Sequence, residues 1–142
     1  MEQQVSREEL EEINRFTRRP LLPEEVYPFE VVLCNNDIDR DWEAFEAPAL
    51  HKLASLFIGK TGITDHEAKA ANQRARIYRA WVEEEPDRFT ADGRPYAALK
   101  AKAYMVRTAE TRDLALEIDG GIKKEVSVGC AVGQALCSVC GA

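Results

Sequence analysis

The sequence predicts an α+β fold in which a mostly antiparallel sheet is flanked by helices. Two observations carry this reading. Arg74–Val82 and Tyr96–Val106 each alternate apolar with polar side chains on either side of a turn region holding Asp92-Gly93, the pattern of an antiparallel hairpin. Outside that hairpin lie three stretches of helical spacing, each marked off by capping residues, glycine or proline. At 142 residues the chain has the length of one domain with a substantial core. A charged fraction of 31% and a hydrophobic fraction of 45% belong to a globular chain rather than a disordered or low-complexity one.

Taken in order, Ser6-Arg7-Glu8-Glu9 is a capping box ahead of Leu10, Ile13 and Phe16, so a helix over about residues 7–16 is predicted, with acidic side chains in its first turn to suit the helix dipole. Arg18-Arg19-Pro20-Leu21-Leu22-Pro23 breaks it. Val26–Cys34 is rich in β-forming residues and should end near Asn35-Asn36. Asp37–Asp41 follows as an acidic turn, and the apolar positions within Ala49–Phe57 have helical spacing closed by Gly59. A loop with Gly62 and Asp65-His66-Glu67 then leads through an Ala- and Asn-rich connector to the hairpin, whose first strand carries Ala75, Ile77 and Trp81 on alternate positions. Thr108 caps a helix reaching about Ile118, Gly120-Gly121 closes it, and Ile122–Val128 reads as a further strand.

Charge and hydropathy exclude several classes. With 25 acidic against 19 basic residues the net charge is −6, which disfavours a phosphate-binding surface and makes nucleic acid an unexpected partner. Met1–Leu10 is polar and acidic, and no apolar run approaches membrane-spanning length. Neither a signal peptide nor a membrane span is expected, and the expected compartment is cytoplasmic. There the four cysteines, at 34, 130, 137 and 140, would stay reduced.

Cys137-Ser138-Val139-Cys140-Gly141 has the spacing of half a zinc knuckle. A closed structural site needs four ligands, and Cys34, Cys130, His51 and His66 do not stand at a matching spacing. Two free thiols near a chain end are the simpler explanation of the pair. The expectation is no cofactor, with zinc reserved for a longer parent chain in which a second ligand pair follows.

Two segments about sixty residues apart offer catalytic chemistry. Thr64-Asp65-His66-Glu67 supplies an imidazole, and Glu125-Val126-Ser127-Val128-Gly129-Cys130 a serine in a β-type run. A serine hydroxyl becomes a nucleophile when a base about 3 Å away takes its proton. Each residue also has a plain structural reading. A histidine between two acids is commonly solvated, and a serine between valines commonly faces outward from a strand. His51 reads as an ordinary surface or boundary position. Asp37, Asp39 and Asp41 lack the glycine and terminal glutamate of a calcium loop and read as a capped turn, and Arg74, Arg76 and Arg79 read as a solvated basic face.

The order of strand, acidic turn, helix, glycine-punctuated histidine loop, long hairpin, helix, double glycine and Ser-Val-Gly strand resembles the prohead protease family of tailed phages over about residues 25–130. Gly59-Lys60-Thr61-Gly62-Ile63, Asp65-His66 and Gly120-Gly121-Ile122-Lys123-Lys124-Glu125-Val126-Ser127-Val128-Gly129 are similar to variants in prophages of Gram-positive bacteria. Those relatives commonly carry a cysteine-rich insert after the serine. The family is similar in fold to the herpesvirus capsid assemblins. The resemblance therefore implies a small antiparallel β-barrel or strongly curved sheet flanked by helices, here lacking its last strand or strands, with an open edge able to pair with a second copy. It implies a serine endopeptidase with His66 as base and Ser127 as nucleophile, whose orienting glutamate would lie on a later strand absent from this sequence, so that weak or absent activity is expected. It implies phage major capsid protein and scaffold as partners, inside the procapsid in the bacterial host. The corresponding division is a helical arm over 1–24, a protease-like domain over 25–131 and a cysteine-containing tail over 132–142. The rivals are a catalytically inert capsid scaffolding protein of the same fold and a small zinc-binding module in which Cys137 and Cys140 are ligands.

Overall fold

A computed structural model describes residues 5–65, 67–129 and 132–141. In chain order these form α1 (Arg7–Ile13), β1 (Val26–Asn35), α2 (Ala47–Phe57), β2 (Thr61–Ile63), β3 (Gln73–Phe89), β4 (Pro95–Val106) and α3 (Arg112–Asp119). The strands make one antiparallel sheet in the order β1-β4-β3-β2. The α+β class and the antiparallel arrangement are as expected, but among the described residues the sheet is open rather than a barrel, with β1 and β2 at its edges. Pro28 lies in β1, and an edge strand tolerates a residue that cannot donate to a ladder.

β4 is the central strand and organises the core. Its odd positions Ala97, Leu99, Ala101, Ala103 and Met105 are all buried and face α2 and α3. α2 packs Leu50, Leu53 and Ala54 onto Ala97 and Leu99, joined by Leu33, Phe57, Ala80 and Val82. α3 packs Leu114, Ala115 and Ile118 onto Tyr27 and Met105, and Phe29 and Ala75 connect this cluster to Ile77, Ala101 and Ala103. Three alanines along one face of β4 leave room for the helices to approach. On the opposite face, Ile13 of α1 packs with Val26, Tyr78 and Tyr104.

The hairpin forms as expected, from Arg76↔Tyr104 to Phe89↔Pro95. Its first strand departs from simple alternation, because Ile77 pairs with Ala103 while Arg79 pairs with Lys102. Tyr78 is the extra residue of a bulge, and a bulge reverses which later side chains face each side. Ala80 and Val82, not Trp81, therefore continue the Ile77 face onto α2.

Other boundaries shift for local reasons. Ser6 Oγ accepts the Glu9 amide at 3.1 Å, as the capping pattern requires, but α1 stops at Ile13 rather than near Phe16. The Asn14 side chain accepts the Leu21 amide at 2.9 Å and donates to the Leu21 carbonyl at 3.3 Å, which ties the next segment back against the helix end. α2 begins at Ala47, two residues earlier than expected, with Pro48 in its first turn, where a missing N–H costs nothing. Gly59 takes φ = +85° and a Cβ there would lie 3.2 Å from the Phe16 ring, so both backbone conformation and packing call for glycine. The first residue before α3 is Thr111 rather than Thr108. Thr108 and Thr111 instead bond reciprocally, Thr108 N to Thr111 Oγ1 at 2.9 Å and Thr111 N to Thr108 Oγ1 at 3.2 Å.

The expected strand Ile122–Val128 is absent: residues 124–129 have no regular structure. Ile122 and Lys123 amides instead fold back to the Glu117 carbonyl at 2.9 and 3.2 Å. The alternating pattern of Glu125–Val128 finds no neighbouring ladder among the described residues, and an isolated extended segment has no hydrogen-bonded reason to persist as a strand. Among those residues no helix is long and apolar enough to cross a membrane.

Candidate functional site

Ser127 is exposed in this irregular segment, beyond α3 and its double glycine. Val126 beside it is 44% exposed, and a Cβ added at Gly129 would meet nothing within 4 Å. The serine thus projects from an accessible stretch of chain rather than from a strand face. His66 and Cys130 lie outside the described residues.

The loop around position 66 is held from both sides. Thr64 N donates to Asn72 O at 3.2 Å, and Glu67 N donates to Thr64 O at 3.3 Å. Asp65 adopts φ = +58°, a left-handed turn that aspartate tolerates better than most residues. The Glu67 carboxylate is engaged by Lys69 at 3.1 Å and by the Asn72 amide at 3.3 Å. Of the two acids beside position 66, Glu67 is therefore already committed to neighbours on its own loop. The loop itself joins β2 to β3.

A second feature was not anticipated by the sequence reading. Tyr27, Arg107, Thr108, Thr111, Arg112 and Asp119 are among the residues lining a cavity of about 1040 Å³ between the start of β1, the end of β4 and α3. The Tyr27 hydroxyl donates to Asp119 Oδ1. Burial first, and then Asp119, raises the Tyr27 pKa well above its ordinary value, so this phenol stays protonated. Arg107 Nε donates to the Val26 carbonyl at 3.1 Å and its guanidinium lies 5.3 Å from the centre of the Tyr27 ring. Ser127 does not line this cavity. The signal available in the sequence was the Thr108-x-x-Thr111 pair, which reads equally well as a helix cap.

The remaining sequence candidates fall as follows. His51 is exposed on α2. Asp39 Oδ1 accepts the amides of Asp41 and Glu43 at 2.8 and 3.0 Å, which makes Asp37–Asp41 the capped turn expected of it. Arg79 is bound to Glu12, Arg74 to Glu110 and Arg76 to the Gly59 carbonyl, so the three arginines are tied into local structure. Cys137 and Cys140 are exposed thiols, and among the described residues no group of three or more His, Cys, Asp or Glu side chains could hold a metal ion. Bonds from the Cys140 and Val139 amides, and then from the Cys140 side chain, lower the Cys137 pKa below that of an ordinary thiol.

No family model, no curated protein and no solved structure matches the chain.

Proposed function

We propose that this chain is the serine endopeptidase of a phage prohead, cutting scaffold or capsid-protein segments during head maturation. The observation that carries the reading is the succession of elements. β1, a capped acidic turn, α2, a glycine-bounded loop, the long β3–β4 hairpin, α3 and a double glycine precede an accessible Ser127. That is the order on which the resemblance rests, except that its closing Ser-Val-Gly strand is an irregular segment here. In this reading Ser127 Oγ attacks the scissile carbonyl while His66 accepts its proton and returns it to the leaving amine. Water then releases the acyl group with His66 again acting as base. Main-chain N–H donors would stabilise the tetrahedral oxyanion, each worth about 3–4 kcal/mol.

A serine-directed fluorophosphonate tests the proposal. Covalent labelling mapped to Ser127, absent in Ser127→Ala and strongly reduced in His66→Ala, is the expected result. A folded chain that takes no label at Ser127 would instead be the inert scaffolding protein of the same fold.

A further inference from the structure

One face of α3 carries a short apolar stripe with opposite charges at its two ends, and that face borders the cavity between β1, β4 and the helix. Arg112, Ala115, Leu116 and Asp119 stand at positions i, i+3, i+4 and i+7, the spacing that brings four side chains onto one side of a helix. All four line the cavity. Ala115 is buried and seats the helix on Tyr27 and Met105, whereas Leu116 is 60% exposed and keeps an apolar surface accessible between the charges. The step from Arg112 to Asp119 is two helical turns, about 10 Å along the axis. Long helical side chains lean towards the N-terminus, so Arg112 leans away from Asp119.

The acidic end is held in place from outside the helix. The Tyr27 hydroxyl donates to Asp119 Oδ1, and a carboxylate has acceptor capacity for further donors. Tyr27 in turn packs in the core beneath α3, and the Arg107 guanidinium lies 5.3 Å from the centre of its ring. A volume of about 1040 Å³ suits a small organic molecule rather than a lone ion. A ligand lying along the stripe needs an anionic group at the Arg112 end, a cationic donor at the Asp119 end and an apolar middle. An extended chain advances roughly 3.3–3.6 Å per residue, so a free peptide of about three residues sets its terminal carboxylate and terminal ammonium at the spacing of the two charges.

We propose that this cavity binds a short zwitterionic peptide along α3, with the peptide carboxylate on Arg112, its ammonium on Asp119 and its apolar side chains against Leu116. Charge-assisted hydrogen bonds at both ends fix its direction and length. Ser127 does not line the cavity, so this inference is independent of any chemistry at that residue.

Titration of the full chain with tri-alanine, followed by backbone amide NMR, tests it. Expected are saturable shifts over Arg112–Asp119 and around Tyr27. N-acetyl-tri-alanine and tri-alanine amide should each bind about tenfold more weakly, since each loses a hydrogen bond to a charged group. In Arg112→Gln the free acid and the amide should bind alike, and in Asp119→Asn the free amine and the acetylated peptide should bind alike. The two variants alter opposite ends, so a loss of fold in Asp119→Asn, seen as collapsed amide dispersion, leaves the Arg112 arm decisive. Absence of saturable shifts, or shifts away from α3, overturns the site. Equal binding of the free and capped peptides, or sensitivity to one end alone, overturns the two-ended recognition.

Discussion

Arg79 on β3 grips Glu12 on α1 at two points: its Nε donates to Glu12 Oε2 at 3.0 Å, and a terminal N–H donates to Oε1. Lys102 on β4 reaches Glu9, one turn earlier on the same helix. The two cations flank the apolar contact of Ile13 with Tyr78 and Tyr104. α1 has only seven residues, too short to persist alone, so its helicity depends on this docking.

Glu12→Gln should lower stability by about 1 kcal/mol. A paired arginine–carboxylate contact is stronger than a neutral one, but the side chains are 39% and 23% exposed, and solvent screening discounts the gain. The change should appear as a lower urea midpoint together with faster amide exchange over Arg7–Ile13. An unchanged exchange rate would mean that apolar contacts alone hold the helix.

Acid should destabilise the fold through three carboxylates. Arg19 and then the Leu22 amide lower Glu25 to about 2, and Arg94 and then Thr90 lower Asp92 to about 2. Arg79 lowers Glu12. Each folded-state pKa lies below its unfolded value, so the unfolded chain binds more protons and the stabilisation is complete only above that value. Urea midpoints should therefore fall as pH drops from about 5 towards 2, with a shallower fall in Glu25→Gln. Midpoints that stay level over this range would contradict the assignment.

Tyr78→Phe should be neutral or stabilising by up to about 1 kcal/mol. The Tyr78 hydroxyl is buried and, among the described residues, has no partner at hydrogen-bond distance; burial first, and then the Glu9 carboxylate, raises its pKa. Removing a buried unpaired polar atom while retaining the ring keeps the contact with Tyr104, whose ring centre is 6.2 Å away. A clear loss in thermal midpoint would reveal a bond to the hydroxyl in solution.

Leu99→Ala should cost about 2–5 kcal/mol, the range for emptying a buried leucine site. Leu99 is fully buried under α2. Leu136→Ala, at a position 57% exposed, should change stability by no more than about 0.5 kcal/mol. Parallel denaturant titrations check the contrast, and similar losses at both positions would place part of the core beneath the tail.

Ser127→Ala should leave the thermal midpoint within the effect of about 0.5 kcal/mol usual for a surface change, because Ser127 is exposed. Under the proposed protease function, the same variant should release no cleavage product in a processing assay with a capsid-protein substrate. A large stability loss would mark Ser127 as structural.

Elements with strong local signals were legible. The capping pattern at Ser6, the β-rich run ending at Asn35, the α2 periodicity stopped by Gly59 and the hairpin around Asp92-Gly93 all depend on residues near one another in the chain. β2 was not foreseen, because Thr61-Gly62-Ile63 has too few residues for periodicity and exists by pairing with Gln73–Arg76. Nothing around Tyr78 announced the bulge that turns Ala80 and Val82 towards α2. For the candidate site, the residue types of His66, Ser127, Cys137 and Cys140 were readable, and the irregular, strand-free setting of Ser127 was not.

The sequence by itself determined the α+β class, the cap of α1, the first long strand and the hairpin, since caps, turns and side-chain alternation act over a few residues. The tertiary structure decided that the sheet is open, that α1 lies opposite α2 and α3, and that Glu125–Val128 is not a strand. A strand needs a hydrogen-bonding neighbour as well as a suitable pattern, and that neighbour is supplied by parts of the chain distant in sequence.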